Sequence, residues 1–287
     1  MIRFRLIIAS LVLSAPSLAV ATPLSDPHQP ILPSGYLADG LISRYATLRT
    51  QKLLRNARYI SAYQLQLGTD YLSGTDEIPK NVIAAYLWLR SSAMLDPEFA
   101  GGEARHQLGE LYSGKSGFKK DYAEALKWYR LAAEDSGNVE SQNALGLLYV
   151  KGQEGIEKDY SLAFRWFLVA ANQNHATAQY NLGQMYFKGL GVEKDDREAV
   201  HWFRKAAAQQ DLDAQFKLAS IYATGEQVQQ DYVKAYMWYH LVDTADDTDT
   251  SAKGPLEGLS LKLRPEQVTE AVAMANTCKE SDFKNCD

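Results

Sequence analysis

The chain has 287 residues, 46% of them hydrophobic and 23% charged, with a formal net charge of −5. That length is ample for a buried core, and the composition is that of a folded globular protein and not of a disordered or fibrous one. An acidic balance argues against a nucleic-acid partner.

Arg3 and Arg5 precede the apolar run LIIASLVLSAPSLAV (6–20), and AVA at 19–21 has small residues where a cleavage site needs them. We read residues 1–21 as a secretory signal peptide. The run is short for a membrane span and is interrupted by Pro16. The alternative is an uncleaved anchor. Without residues 1–21 the balance is 28 Lys+Arg against 35 Asp+Glu, a net charge of −7. Export, to the periplasm first and full secretion second, sets the redox expectation for Cys278 and Cys286, the only two cysteines. Nearby thiols in an oxidising compartment pair, so we expect a disulfide stapling the C-terminal tail. A free redox or metal pair would want tighter spacing or neighbouring histidines.

Residues 22–35 form a proline-rich leader, and 36–60 read as an amphipathic helix capping whatever follows. Arg44, Arg49, Lys52, Arg55 and Arg58 lie in it. We read them as a solvated helix face; the other reading is a contact with an acidic partner or an anionic membrane surface, so any membrane contact is peripheral.

From residue 61 to 243 the chain repeats itself. Trp88, Trp128, Trp166, Trp202 and Trp238 are spaced by 40, 38, 36 and 36 residues, and no tryptophan lies outside this register. A second column holds Gly68, Gly109, Gly146 and Gly183, with Ala219 in fifth place. A tyrosine follows each by three: Tyr71, Tyr112, Tyr149, Tyr186 and Tyr222. Seven residues before each tryptophan stands Asn81, Asp121, Asp159, Asp195 or Asp231, and three before it Ala85, Ala125, Ala163, Ala199 or Ala235. Periodicity of this length marks a stack of small repeated units.

Each column has a role in a helix–loop–helix unit. Ala125, Trp128 and Ala132 fall on one helical face. Asp121 stands at an N-cap with Glu124 completing a capping box, and Asp195 with Glu198 repeats the arrangement. Gly183, mid-helix beside Leu182, costs roughly 1 kcal/mol against alanine; we expect close approach of another helix backbone there. Burying one indole removes roughly 150–250 Å² from water, an upper estimate of about 4–6 kcal/mol, so the tryptophans are assigned to the core. A unit of this size cannot bury its apolar face alone. The expected architecture is an all-α, right-handed α/α superhelical solenoid of five helix-turn-helix repeats with terminal capping helices.

The pattern A-x-x-x-L-G-x-x-Y, a glycine-bearing loop, then D-x-x-x-A-x-x-W-[YF]-x-x-A-A resembles the Sel-1-like repeat, a relative of the tetratricopeptide repeat. AQYNLGQMYFKGLGVEKDDREAVHWFRKAA (178–207) fits it at nearly every position, and the resemblance covers 61–243. The first copy departs most, with Tyr63 for the leading alanine and Asn81 for aspartate; the fifth has Ala219 for glycine and ends in LVDT. Residues 244–287 hold an acidic linker and the segment LRPEQVTEAVAMAN (263–276), similar to the capping helix that follows such repeats.

Chemistry-bearing motifs are missing. His28, His106, His175, His201 and His240 form no H-E-x-x-H, and there is no G-x-S-x-G. GLG at 189–191 lacks the third glycine of a nucleotide fingerprint. We expect no enzyme, cofactor, metal site or small-molecule substrate. In paired-helix solenoids the first helix of each repeat lines the concave side. Its outward positions hold Leu65, Thr69 and Leu72, then His106, Glu110 and Ser113, then Asn143, Leu147 and Val150, then Tyr180, Gln184 and Phe187, then Phe216, Ser220 and Ala223. An apolar outward face is either covered or offered for binding. One reading packs it against the neighbouring repeat's first helix. The other makes Asn143, Leu147, Tyr180, Gln184, Phe187, Phe216 and Ser220 a groove for a peptide or protein segment. The resemblance implies a non-enzymatic scaffold of the bacterial cell envelope. Alternatives are a β-lactam-binding or hydrolysing protein of the cysteine-rich kind, although no repeat here contains cysteine, and a cell-wall polysaccharide binder.

Overall fold

The computed structural model describes residues 60–76, 78–95, 100–226, 228–245, 250–284 and 286. The expected signal peptide, leader and N-terminal helix, with their arginine cluster, lie outside the described residues. Among those described the protein is all-helical, with twelve α-helices, one 3₁₀ turn at Lys115–Gly117 and no strand; a single bridge joins Gln153 and Ile156. No described helix is long and apolar enough to cross a membrane.

The chain divides into two compact units, residues 1–92 and 93–287. In the first lie α1 (Ile60–Ser73) and most of α2 (Val82–Leu95), packed around Leu67, Tyr71, Ile78 and Ala85. The second holds four further helix pairs: α3 (Ala100–Tyr112) with α4 (Tyr122–Asp135), α5 (Val139–Lys151) with α6 (Tyr160–Asn172), α7 (Ala176–Lys188) with α8 (Asp196–Ala207), and α9 (Leu212–Thr224) with α10 (Tyr232–Asp243). Within this unit each helix packs on the next, so the pairs stack. Two more helices, α11 (Lys253–Ser260) and α12 (Pro265–Glu280), pack on α10. Pro265 occupies the first turn of α12, and Gln267 Oε1 accepts from the Arg264 N–H at 3.1 Å. Cys278 and Cys286 form a disulfide.

Every helix pair is closed by the same two interactions. The side chain of Asn81, Asp121, Asp159, Asp195 or Asp231 accepts from backbone N–H groups in the first turn of the second helix, at 2.8–3.1 Å. Its own N–H donates to the carbonyl of the column tyrosine: Asn81 to Tyr71, Asp121 to Tyr112, Asp159 to Tyr149, Asp195 to Tyr186 and Asp231 to Tyr222. The reciprocal half of the expected capping box is therefore displaced. The cap N–H already ties the hairpin shut, and the Glu124 carboxylate pairs with Lys127 instead.

The core revises the role of the tryptophans. Trp202 and Trp238 are buried, but Trp88, Trp128 and Trp166 are only half-buried. In the first four repeats the more enclosed side chain is the next residue, Leu89, Tyr129, Phe167 or Phe203; in the fifth the order reverses, with Trp238 2% and Tyr239 6% exposed. Those of the first four repeats fill the slot left by the glycine column. A Cβ placed on Gly183 would lie 2.7 Å from the Phe203 ring, on Gly109 2.5 Å from Tyr129, and on Gly68 2.7 Å from Leu89; Gly146 faces Phe167 in the same way. What approaches the mid-helix glycine is thus chiefly a side chain, not the helix backbone that the sequence led us to expect. Adjacent residues on a helix point about 100° apart. In the first three repeats the indole therefore sits at the rim of a core whose centre is the residue beside it. The second-helix face is Ala125, Tyr129 and Ala132, not Ala125, Trp128 and Ala132.

Tyr71, Tyr112, Tyr149 and Tyr222 are buried, while Tyr186 is half-buried. Two of their hydroxyls bolt successive repeats together. Arg130 of α4 donates to Tyr149 at 2.9 Å, and Arg204 of α8 donates to Tyr222 at 2.6 Å. In the repeat between them Leu168 stands in the arginine position, and Tyr186 is met edge-on by Phe164, centroids 5.4 Å apart.

Candidate binding surface

The seven residues assigned to the groove lie on three successive first helices of the second unit. Asn143 and Leu147 are on α5, Tyr180, Gln184 and Phe187 on α7, and Phe216 and Ser220 on α9. All seven are half-buried. The three aromatic rings lean on the second helix of their own repeat. The Tyr180 and Phe187 rings lie 5.7 Å and 6.5 Å from Phe203, and Phe216 meets Tyr239 edge-on at 5.1 Å. The rings thus pack against their own repeats, and Phe187 of α7 also meets Lys217 of the next first helix, α9. Polar contacts also link first helices: Asn181 donates to Asn143 across α7 and α5 at 3.1 Å, and His106 Nδ1 lies 2.9 Å from Ser141 Oγ across α3 and α5.

What remains half-open is a row of apolar and amide groups with a cationic end. Gln184 Nε2 donates to the Tyr180 hydroxyl at 2.8 Å, and Lys217 Nζ stands 3.9 Å above the Phe187 ring. Burial, then the nearby Lys188, lowers the Lys217 pKa. Burial raises the Tyr180 hydroxyl and, against a hydrogen bond from Ser220, that of Tyr239; deeper burial pushes Tyr129 up to about 12. These phenols stay protonated at neutral pH and can donate hydrogen bonds. The arrangement suits recognition of chain segments that present apolar side chains and amides. Among the described residues no group of three or more His, Cys, Asp or Glu could hold a metal ion.

A fifth column went unread in the sequence. Four residues before each column glycine (or Ala219) stands a buried polar side chain: Gln64, Arg105, Gln142, Gln179 and Gln215. Gln179 and Gln215 donate to the last-turn carbonyls of the preceding repeat, Ala171 O at 3.1 Å and Ala207 O at 3.2 Å. Seven residues after the tryptophan, Gln173 donates to Gln142 and Gln209 to Gln179, each at 2.7 Å. In the second repeat both partners change together, and Arg105 pairs with Asp135 at 2.8 Å. In the fifth, Ala245 stands where the donor would be, and Gln215 Oε1 is buried without a hydrogen-bond partner. Buried glutamine inside an otherwise apolar face was the available signal.

The turns between repeats carry their own caps. Asn138, His175 and Asp211 accept from Ser141, Ala178 and Ala214 N–H respectively, at 2.8–3.1 Å. His175, in the turn between repeats, caps α7 through Nδ1.

The chain is similar to known proteins. The family model of the Sel1 repeat matches residues 61–97, 102–136, 139–175, 176–211 and 212–241. The solved structure of a Sel1 repeat protein from Oxalobacter formigenes is 28% identical, with a TM-score of 0.64 over 83% of this chain and 97% of that one. That of a protective antigen of uropathogenic Escherichia coli with an SLR fold is 27% identical, with a TM-score of 0.49 over 78% and 55%. The ERAD-associated E3 ubiquitin-protein ligase component HRD3B of Arabidopsis thaliana is 35% identical over 89 residues, 31% of this chain; the match spans only 13% of that relative. Five matched repeats, closed by one shared set of hydrogen bonds, lead to one conclusion: the chain belongs to the Sel1 repeat family.

Proposed function

We propose that the protein is a non-catalytic scaffold that holds a peptide or protein segment on the first helices of its third to fifth repeats, and that it works in the bacterial cell envelope after export. The observation that carries this reading is the row Leu147, Tyr180, Phe187 and Phe216. All four are half-buried, and the three rings rest on the second helices of their own repeats. Rigid aromatic anchors edged by amides are the usual furniture of protein interfaces. The export half rests on the sequence of residues 1–21, and the Cys278–Cys286 disulfide agrees with an oxidising compartment.

The test is site-specific photocrosslinking in the producing cells. A benzophenone side chain at Tyr180 or at Phe216 should trap the same partner, whereas one at Ser161, exposed on the second helix α6, should not. The double variant Tyr180→Ser/Phe216→Ser should abolish binding of that partner with helicity unchanged. Trapping from Ser161 alone, or full binding by the double variant, would remove the proposal. Turnover of a chromogenic β-lactam by the purified protein, or its retention on peptidoglycan, would favour the competing readings.

A further inference from the structure

Positive charge gathers at one junction between first helices. Phe187 stands four residues after the glycine of the fourth repeat, and Lys217 two residues before Ala219 of the fifth. The two meet, with Nζ 3.9 Å from the ring centroid. The same pair of positions holds Ser113 with Ala144, then Val150 with Asn181, at the two preceding junctions. Of these three junctions only the last sets an ammonium group on a ring. Lys194 comes within 6.0 Å of that ring, and Lys188 follows Phe187 directly.

The phenyl face attracts an ammonium group but does not neutralise it. Lys194 has a carboxylate of its own, Asp196 at 3.3 Å. Neither Lys217 nor Lys188 takes part in the ion pairs found among the described residues. Lys188 ends α7, where the helix dipole favours a cation. Lys217 lies midway along α9 and has no such reason. It is half-buried; burial first, then the push of Lys188, lowers its pKa, and the pull of Glu226 is the smaller influence. Like charges on half-desolvated apolar surface are unfavourable, and a carboxylate placed between them would offset that. The other end of the row has the opposite sign, since the Tyr180 hydroxyl feels Asp213 and Asp211.

We propose that the segment held on this row is an acidic peptide, with an aspartate or glutamate side chain seated beside Phe187 and paired with Lys217 and Lys188. This rests on the partner row proposed above and adds the partner's chemistry and direction. The partner's carboxylates lie towards the end of α7 that carries Lys188, and its apolar residues towards Tyr180, where Asp211 and Asp213 would repel carboxylates. The lysines act as donors of charge-assisted hydrogen bonds, which are stronger than neutral ones.

The test selects random peptides displayed on phage against the full chain and against its Tyr180→Ser/Phe216→Ser and Lys188→Gln/Lys217→Gln variants. The unaltered chain should select peptides that join apolar residues to aspartate or glutamate. The lysine variant should keep the apolar preference and lose the acidic one. A synthetic copy of the strongest acidic peptide should bind Lys217→Gln about tenfold more weakly, and Lys217→Arg nearly as well as the unaltered chain. The same peptide with its carboxylates changed to amides should bind the unaltered chain and Lys217→Gln alike, so that the two losses do not add. That peptide-side change requires no variant to fold. Peptides that need Tyr180 and Phe216 but show no acidic preference would overturn this inference and leave the partner row standing. Peptides indifferent to the Tyr180→Ser/Phe216→Ser change, or none selected at all, would overturn both.

Discussion

Trp166 and Phe167 are neighbours whose removal should cost different amounts. Phe167 is 1% exposed and lies in the slot over Gly146. Truncating it to alanine removes a ring from a site where the glycine cannot fill the void, a loss of about 3–5 kcal/mol. Trp166 is half-buried, so its indole keeps about 100 Å² out of water, worth at most about 2–3 kcal/mol. Its removal leaves a dent open to solvent and no cavity. Urea unfolding of both variants, followed by circular dichroism at 222 nm, gives the comparison. Phe167→Ala should have the lower midpoint by a clear margin, and the loss should spread to α5 and α7, because stacked repeats are coupled through their interfaces. If Trp166→Ala were the more damaging change, the assignment of the core to the residue after the tryptophan would be wrong.

Other substitutions probe the polar column and its caps. Asp135→Ala should cost about 1–3 kcal/mol by leaving the buried Arg105 unpaired. The double change Arg105→Gln/Asp135→Gln should restore much of it, by recreating the Gln142–Gln173 pair of the next repeat; an additive double-mutant cycle would refute the pairing. Ala245→Gln should stabilise by about 0.5–1.5 kcal/mol, because it offers Gln215 Oε1 a donor, and an unchanged melting temperature would count against this. His175 accepts the Ala178 N–H only when neutral. Burial lowers its pKa below the ordinary 6.5, against the pull of Glu140 and Asp211. The unfolded chain then binds the proton more readily. The cap's contribution, about 1 kcal/mol, is complete above pH 6.5 and lost as pH falls from there towards the folded-state value. His175→Asp should flatten that dependence between pH 5 and 7; an unaltered slope would show that the cap is not its source.

The sequence by itself determined the period, the helix pairs, the five N-caps of the second helices and the glycine column. All of these act over a few residues or recur at fixed spacing, so one chain displays them without reference to its folded neighbours. Asp159 caps Leu162 because they are three apart, and that distance is written in the chain. The tertiary structure decided the rest. Two aromatic residues side by side, as at 166–167, satisfy the same apolar pattern, and only docking against the glycine of the first helix selects which one is enclosed. Gln179 reads as an ordinary polar residue until Ala171 O and Gln209, 8 and 30 residues away, are brought to it. A buried amide is tolerable only when such distant partners arrive together, and no local rule specifies them.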